Sequence, residues 1–129
     1  MIEDNQADVV LLKVALLEHS VSCEVEILDD GEKALRFLNN LDGSGDGARP
    51  NAIVLDLNLP KINGLEILRV VKRSPSLRGV RVAILTSSLS QRDRSTAEEL
   101  GADLYLIKPV HLAEFLALGS TLKQLLTPQ

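Results

Sequence analysis

Aromatic residues are scarce in this sequence of 129 residues, with two Phe, one Tyr and no Trp. A nucleic-acid surface built on stacked aromatics is therefore not expected, and the net charge of −4 also disfavours a phosphate-backbone binder. The single cysteine, Cys23, excludes an internal disulfide framework and a multi-cysteine metal site. No apolar run is long enough to cross a membrane, and no signal peptide is visible. These absences predict a cytoplasmic protein that binds neither nucleic acid nor membrane.

What the sequence does contain fits one α/β domain. Hydrophobic residues make up 45% and charged residues 25%, as in globular proteins. Short apolar runs at residues 23–28, 52–56, 82–86 and 104–107 alternate with helical stretches, after a two-residue start, Met1-Ile2. Apolar runs without polar alternation are typical of parallel strands covered on both sides. The pattern predicts a doubly wound parallel sheet with helices on both faces.

Four helices carry a start signal, a capping residue followed three positions later by an acid. The predicted caps are Asn5, Asp29, Asn63 and Ser90. The acids at the third position are Asp8, Glu32, Glu66 and Asp93.

Polar side chains follow the predicted strands at the ends where ligands bind in such sheets. Glu3 and Asp4 follow the short start, Asp56 and Thr86 close two of the runs, and Lys108 follows the fourth. Clustered carboxylates repel one another unless a cation joins them, and Mg²⁺ prefers oxygen ligands. The sequence therefore predicts a magnesium site, which Mn²⁺ could also occupy.

Within that site Asp4 and Asp56 are the predicted direct ligands, with the backbone carbonyl of Asn58 as a third and Glu3 acting through water. Asp56 is also the predicted nucleophile toward phosphorus, with Lys108 neutralising the phosphoryl oxygens and Thr86 donating to one of them. Taken singly, such residues are more often helix caps or solvated charges. Their coincidence on successive strand ends favours phosphoryl transfer.

Four stretches of the sequence resemble the receiver domain of two-component response regulators. They are Glu3-Asp4-Asn5, the segment IVLDLNLPKING at 53–64, ILTS at 84–87, and YLIKP at 105–109. The amino-acid sequence of the second stretch is most similar to that of single-domain receivers related to the partners of bacterial and cyanobacterial phytochromes. The resemblance implies a CheY-like, flavodoxin-like fold with five parallel strands in the order 2-1-3-4-5. It also implies one receiver domain over residues 1–129, with no output domain.

The resemblance also implies roles for individual residues. Asp56 accepts a phosphoryl group from a sensor histidine kinase, for which a phytochrome-type kinase is one candidate, or from a phosphotransfer protein. Thr86 and Tyr105 form a switch pair, and Lys108 is the family's lysine, joined to Pro109 by a cis bond. Neighbouring motif positions with a phosphate-binding or structural role are Ser87, Pro60 and Gly64.

Phosphorylation is then expected to switch a face that binds a downstream protein or a second copy of the chain, with Leu118 as a candidate contact. The chain is not expected to be an enzyme. A phosphatase of the haloacid-dehalogenase type is a rival interpretation, but its second acid is replaced by Asn58, which cannot carry a proton. A receiver-like interaction module that works without phosphorylation is the remaining alternative.

Two features depart from the family pattern. Only Met1 and Ile2 stand where a central strand is expected, which predicts either a chain that begins earlier or a strand borrowed from another protomer. The first helix carries two apolar stripes, of which Val10, Val14 and Leu17 form the second. A helix on a sheet needs only one, so the second is a candidate docking surface for a partner's helices.

Overall fold

The computed structural model describes residues 1–44 and 49–127. From β1 onwards, helices and strands alternate as the sequence predicts, whereas between α1 and α2 only the bridge residue Leu28 pairs with the sheet. No helix in it is long and apolar enough to span a membrane. The elements are α1 (Gln6–Glu18), α2 (Gly31–Ser44), β1 (Ala52–Leu55), α3 (Gly64–Arg73), a 3₁₀ turn (Pro75–Leu77), β2 (Arg81–Thr86), α4 (Gln91–Glu99), β3 (Leu104–Ile107) and α5 (Leu112–Leu126).

The sheet has three regular parallel strands in the order β1-β2-β3. Ile2 extends it beyond β1, because it forms parallel bridges with Leu55 on one side and Leu28 on the other. From edge to edge the order is therefore Leu28, Ile2, β1, β2, β3. This confirms the predicted order 2-1-3-4-5 and the doubly wound class.

The prediction of a regular strand over residues 23–28 is wrong in extent. Only Leu28 pairs with the sheet, through hydrogen bonds to Met1 and Glu3. A strand needs a paired neighbour along its length, and the neighbouring position holds only Met1 to Glu3. Cys23, whose apolar run suggested a core position, is exposed for the same reason.

Helices cover both faces of the sheet, and β2 alternates between the two cores. Val82 and Ile84 pack on the side of α2, α3 and α4, in a cluster with Leu38 and Ile67. On the opposite side, the second cluster brings α1 and α5 together on β2 and contains Leu12, Leu16, Ala83, Leu85, Phe115, Leu122 and Leu125. Because both faces of the sheet are buried, apolar residues follow one another without polar alternation along the strands.

Three of the four predicted helix caps are confirmed. The side chains of Asn5, Asn63 and Ser90 accept hydrogen bonds from backbone N–H groups of their first turns. The prediction that Asp29 caps α2 is wrong by one residue, because it is the side chain of Asp30 that accepts a hydrogen bond from Lys33 N, at 2.8 Å. Asp29 instead pairs with the Lys33 ammonium at 2.7 Å on the exposed surface.

Candidate functional site

The strand ends bring an acid cluster and a lysine together at one edge of the sheet. Asp56 follows β1 and is buried, and Lys108 follows β3 with its Nζ 2.9 Å from Asp56 Oδ2. The same Nζ lies 2.7 Å from Oε1 of Glu3, which is 1% exposed. The predicted convergence of Glu3, Asp56 and Lys108 is therefore present in the geometry.

A third carboxylate reaches the same ammonium and was missed in the sequence. Asp8 Oδ2 lies 2.8 Å from Lys108 Nζ. The sequence placed Asp8 in the first turn of α1 as the acid that follows the Asn5 cap. The cap brings that turn over the strand ends, which explains how a helix residue enters the site. No motif spacing marks this second role.

Burial and the ion pairs shift the pKa values of these groups in different directions. Burial raises the pKa of Glu3 to about 7, against the opposing effect of Lys108 and with a further rise from Asp56. Burial acts the same way on Asp56, but Lys108 and the N–H of Asn58 outweigh it and the pKa of Asp56 is lowered. Burial alone would lower the pKa of Lys108, but Asp8, Glu3 and Asp56 raise it. The site thus favours an ionised Asp56 beside a charged lysine.

The acid cluster also fits a divalent cation. Glu3, Asp4 and Asp56 each offer a carboxylate oxygen, and these oxygens lie within 4.8 Å of one another. Asp4 is exposed, so the cluster can be reached from solvent. Oε1 of Glu3 is buried, and the charged group that it contacts is the Lys108 ammonium at 2.7 Å. Three carboxylate oxygens this close to one another are a donor set that suits a hard cation.

Thr86 and Asn58 form the side of the site nearest β2. Thr86 is fully buried at the end of β2, and its Oγ1 accepts from Asn58 Nδ2 at 3.4 Å and from Ser88 N at 3.2 Å. The backbone N–H of Asn58 donates to Asp56 Oδ1 at 3.1 Å. Ser87 is exposed beside Thr86. The Asn58 carbonyl as a metal ligand stays a prediction.

Tyr105 connects β3 to the loop that follows Thr86. Its hydroxyl donates to the Ser88 carbonyl at 3.4 Å, and Arg94 lies over its ring at 5.6 Å from the centroid. Ser88 also donates to Asp93 at 2.6 Å, which links the loop to the start of α4. Tyr105, the loop and α4 are therefore coupled by direct contacts.

Gly64 and Pro60 shape the segment that follows Asp56. A Cβ at Gly64 would overlap the backbone of Asp56 and Leu57, so only glycine allows α3 to begin this close to the acid. Pro60 accepts from Ile62 N at 2.8 Å across Lys61, whose φ is +71°. This tight turn returns the chain to α3. The structural roles of Pro60 and Gly64 in the receiver family stay a prediction.

The predicted cis bond before Pro109 is wrong, since there is no cis peptide bond between any of the described residues. The trans isomer is the lower-energy form of an X–Pro bond by about 0.5–1 kcal/mol. Lys108 reaches all three carboxylates with the trans bond.

The arrangement combines a buried ionised carboxylate, a cation-binding acid cluster, a lysine and a hydroxyl-bearing side chain at the carboxyl edge of a doubly wound parallel sheet. These groups suit a phosphoryl group better than an organic substrate, because every one of them recognises charged oxygen or can attack phosphorus. Fold and site together define a receiver-type signalling domain.

Comparisons with known proteins agree. The sequence profile of the family described as response regulator receiver domain matches residues 1–118. The chain belongs to this family. It is 37% identical over 114 residues to the response regulator Rcp1 of Synechocystis sp., covering 88% of this chain and 78% of Rcp1.

Two solved structures extend the similarity to the fold. The Mn²⁺-bound form of response regulator Rcp1 has a TM-score of 0.87 at 34% identity, covering 99% of this chain and 94% of that one. The phosphorylated cyanobacterial phytochrome response regulator RcpA has a TM-score of 0.85 at 32% identity, covering 95% and 88%. The chain is thus a two-component response regulator domain, similar to phytochrome response regulators.

Proposed function

We propose that this receiver is switched by Mg²⁺-dependent transfer of a phosphoryl group to Asp56. The observation that carries the proposal is the 2.9 Å pair between Asp56 Oδ2 and Lys108 Nζ, beside the carboxylates of Glu3 and Asp4. An aspartate in this setting is both ionised and next to the positive charge that a transferred phosphoryl group requires.

The reaction can be followed on the chain's own groups. An Asp56 oxygen forms the new O–P bond while the N–P bond of a kinase phosphohistidine breaks, and its electron pair stays on the imidazole. Lys108 moves from neutralising the carboxylate to neutralising the phosphoryl oxygens, and Thr86 donates its hydroxyl to one of them. Asp4, Asp56 and the Asn58 carbonyl would hold Mg²⁺, with Glu3 acting through water, and the ion would supply further positive charge to these oxygens.

The residue two positions after Asp56 favours a long-lived aspartyl phosphate over rapid hydrolysis. Asn58 stands two residues after Asp56 and cannot act as a general base toward water. Its side chain is instead directed to Thr86. We therefore expect the aspartyl phosphate to persist, and the chain to act as a signalling protein rather than as an enzyme with a small-molecule substrate.

A histidine kinase is the proposed phosphoryl donor, and the similarity to the cyanobacterial phytochrome response regulator RcpA supports one of phytochrome type. We also propose that the chain acts in the cytoplasm, as one receiver over residues 1–129. The exposed second stripe of α1, with Val10 at 58% and Leu17 at 75%, is the proposed docking surface for the kinase.

The output is a downstream protein or a second copy of the chain. Thr86 and Tyr105 contact the same loop, so a phosphoryl group that draws Thr86 toward it would move the start of α4. Large apolar side chains are exposed around this region, namely Leu89, Val110 and Leu112. Leu118, the contact suggested by the sequence, packs against the α1–α5 core instead.

The test is mass spectrometry of the intact protein after incubation with acetyl phosphate and Mg²⁺. We expect a gain of one phosphoryl group, about 80 Da, on the unaltered chain. Asp56→Asn and addition of EDTA should each abolish it, while Asp29→Asn, which alters an exposed acid, should not. No gain on a folded protein would overturn the proposal and favour an interaction module that works without phosphorylation.

A further inference from the structure

The ammonium of Lys108 contacts a carboxylate that lies outside the acid cluster. Asp8 Oδ2 is 2.8 Å from Lys108 Nζ, and the two side chains are 16% and 11% exposed. Salt screens a pair this well shielded from water much less than it screens an exposed pair. Burial alone would lower the pKa of Lys108, and of the contacts that raise it the one with Asp8 acts most strongly. Asp8 is therefore a principal partner of this lysine.

The start of α1 fixes the position of Asp8. The N–H of Asp8 donates to Asn5 Oδ1 at 3.2 Å, and the N–H of Asn5 donates to Glu3 Oε2, also at 3.2 Å. Lys108 Nζ lies 2.7 Å from the other carboxylate oxygen of Glu3. These four residues form a closed ring of contacts, so the first turn of α1 is held against the strand ends that carry the site.

The three carboxylates around Lys108 differ in their other tasks. Glu3 and Asp56 also belong to the cation cluster, which among the described residues consists of Glu3, Asp4 and Asp56 and does not include Asp8. Asp56 is in addition the proposed phosphoryl acceptor. A carboxylate oxygen that faces a cation or bonds to phosphorus carries less negative charge toward a lysine. Asp8 is therefore the partner that can keep its contact with Lys108 throughout the reaction.

We propose that Asp8 is a positioning residue for phosphoryl transfer, which holds Lys108 in place while Glu3 and Asp56 engage the cation and the phosphoryl group. The proposal rests on the proposed function of Asp56, and the bonds that form and break are those of the reaction given there. Holding a charged group in place before the reaction lowers the barrier, and a displacement of about 1 Å can cost about a hundredfold in rate.

The sign of the effect separates positioning from charge alone. An ionised Asp8 repels a negatively charged phosphoryl donor, so its neutralisation would speed phosphorylation if only the net charge of the site mattered. If Asp8 positions Lys108, its neutralisation slows phosphorylation instead. Asn has nearly the same shape as Asp but forms no ion pair, so Asp8→Asn distinguishes the two effects.

The first measurement is the initial rate of phosphorylation by acetyl phosphate, followed by the mass of the intact protein. Saturating Mg²⁺ is used, so that a change in cation affinity does not affect the rate. We expect Asp8→Asn to react about tenfold more slowly than the unaltered chain. Asp8→Glu, which keeps the carboxylate, should recover part of the rate. Glu18→Gln, an exposed change on the same helix, should react at the unaltered rate.

The second measurement needs neither a metal nor phosphoryl transfer. An amine-reactive acetylating reagent modifies the neutral form of a lysine, and peptide mass spectrometry gives the rate at each lysine. In EDTA, Lys108 should react slowly in the unaltered chain and about three- to tenfold faster in Asp8→Asn, since loss of the ion pair favours the neutral amine. Lys13 and Lys123 are exposed and serve as internal standards.

The outcomes distinguish this role from the proposed function itself. Slower phosphorylation of Asp8→Asn together with faster acetylation of Lys108 would support the proposal. Phosphorylation of Asp8→Asn at or above the unaltered rate, or unchanged acetylation of Lys108, would overturn it and leave Asp56 as the acceptor. No phosphorylation of the unaltered chain would overturn the proposed function, and the role of Asp8 with it.

Discussion

At the scale of single residues, Lys108 is the centre of the site because three carboxylates share its ammonium. Two of them, Glu3 and Asp56, also belong to the cluster that fits a cation, whereas the third, Asp8, does not. A cation that enters the cluster competes with Lys108 for Glu3 and Asp56. Asp8 can hold the ammonium meanwhile, so the residue that the sequence motif did not mark has a distinct part in the site.

Asp8→Asn should therefore weaken the binding of a divalent cation. Without Asp8, Lys108 depends on Glu3 and Asp56 alone and competes more strongly for them. We expect a three- to tenfold loss in Mn²⁺ affinity, about 1 kcal/mol, measured by titration with the metal alone.

A double-mutant cycle separates this effect from the loss of one negative charge. In a Lys108→Met background, the further change Asp8→Asn should have little effect on the Mn²⁺ affinity. The control is Glu18→Gln, an exposed change on the same helix, which should have little effect with or without the lysine. An equal loss with and without the lysine would show that Asp8 does not act through Lys108.

At the scale of elements, α1 and α5 pack more closely than their sequences suggest. Gly119, in the middle of α5, is a costly residue for a helix by propensity alone, by about 1 kcal/mol relative to alanine. The structure explains its presence, because a Cβ there would overlap the Ala15 carbonyl and the His19 ring of α1. The glycine allows the two backbones to approach each other.

Gly119→Ala should accordingly destabilise the protein in spite of its better helix propensity. We expect the free energy of unfolding to fall by about 1–3 kcal/mol, the usual cost of overpacking, in urea unfolding followed by circular dichroism. Ser120→Ala, an exposed change on the same helix, should be neutral or slightly stabilising. A Gly119→Ala variant as stable as the unaltered chain would mean that the helices separate without cost.

The outer face of α1 provides a second prediction at this scale. Val10 and Val14 are 58% and 37% exposed, so changing both to Ser should leave stability nearly unchanged. If this stripe docks the kinase, transfer from a phosphorylated kinase should slow by tenfold or more, while uptake from acetyl phosphate should continue. Lys13→Ser, between them in sequence, is the matched control. Equal losses with both donors would contradict a docking role.

At the scale of the whole molecule, the sequence predicts the features that depend on local sequence pattern and misses those that depend on tertiary contacts. The strands β1, β2 and β3 follow from apolar runs, and the meeting of Asp56, Thr86 and Lys108 follows from parallel strands that end at one edge. Residues 23–28 have the composition of a strand, but among the described residues only Leu28 has a bridge partner in the sheet. Asp8 in the site, the trans bond before Pro109 and the packing of Leu118 likewise depend on tertiary contacts that no local pattern encodes.

The free energy of unfolding of the whole molecule should depend on pH because Glu3 is buried. Its pKa rises from 4.5 in an unhindered carboxyl to about 7 in the folded chain, chiefly because of burial. Between these two pH values the folded state holds more protons on Glu3 than the unfolded state. The free energy of unfolding must therefore fall as the pH rises through this window, and change little from this source above it.

Urea unfolding in EDTA at pH 5, 6, 7 and 8 tests this expectation. The unaltered chain should lose on the order of 2 kcal/mol from pH 5 to pH 8 relative to Glu3→Gln, which cannot ionise. Glu18→Gln, an exposed change, should follow the unaltered chain. Parallel curves for Glu3→Gln and the unaltered chain would mean that Glu3 is not held protonated by the fold. The acid cluster would then be ionised throughout, and its repulsion would have to be offset elsewhere in the molecule.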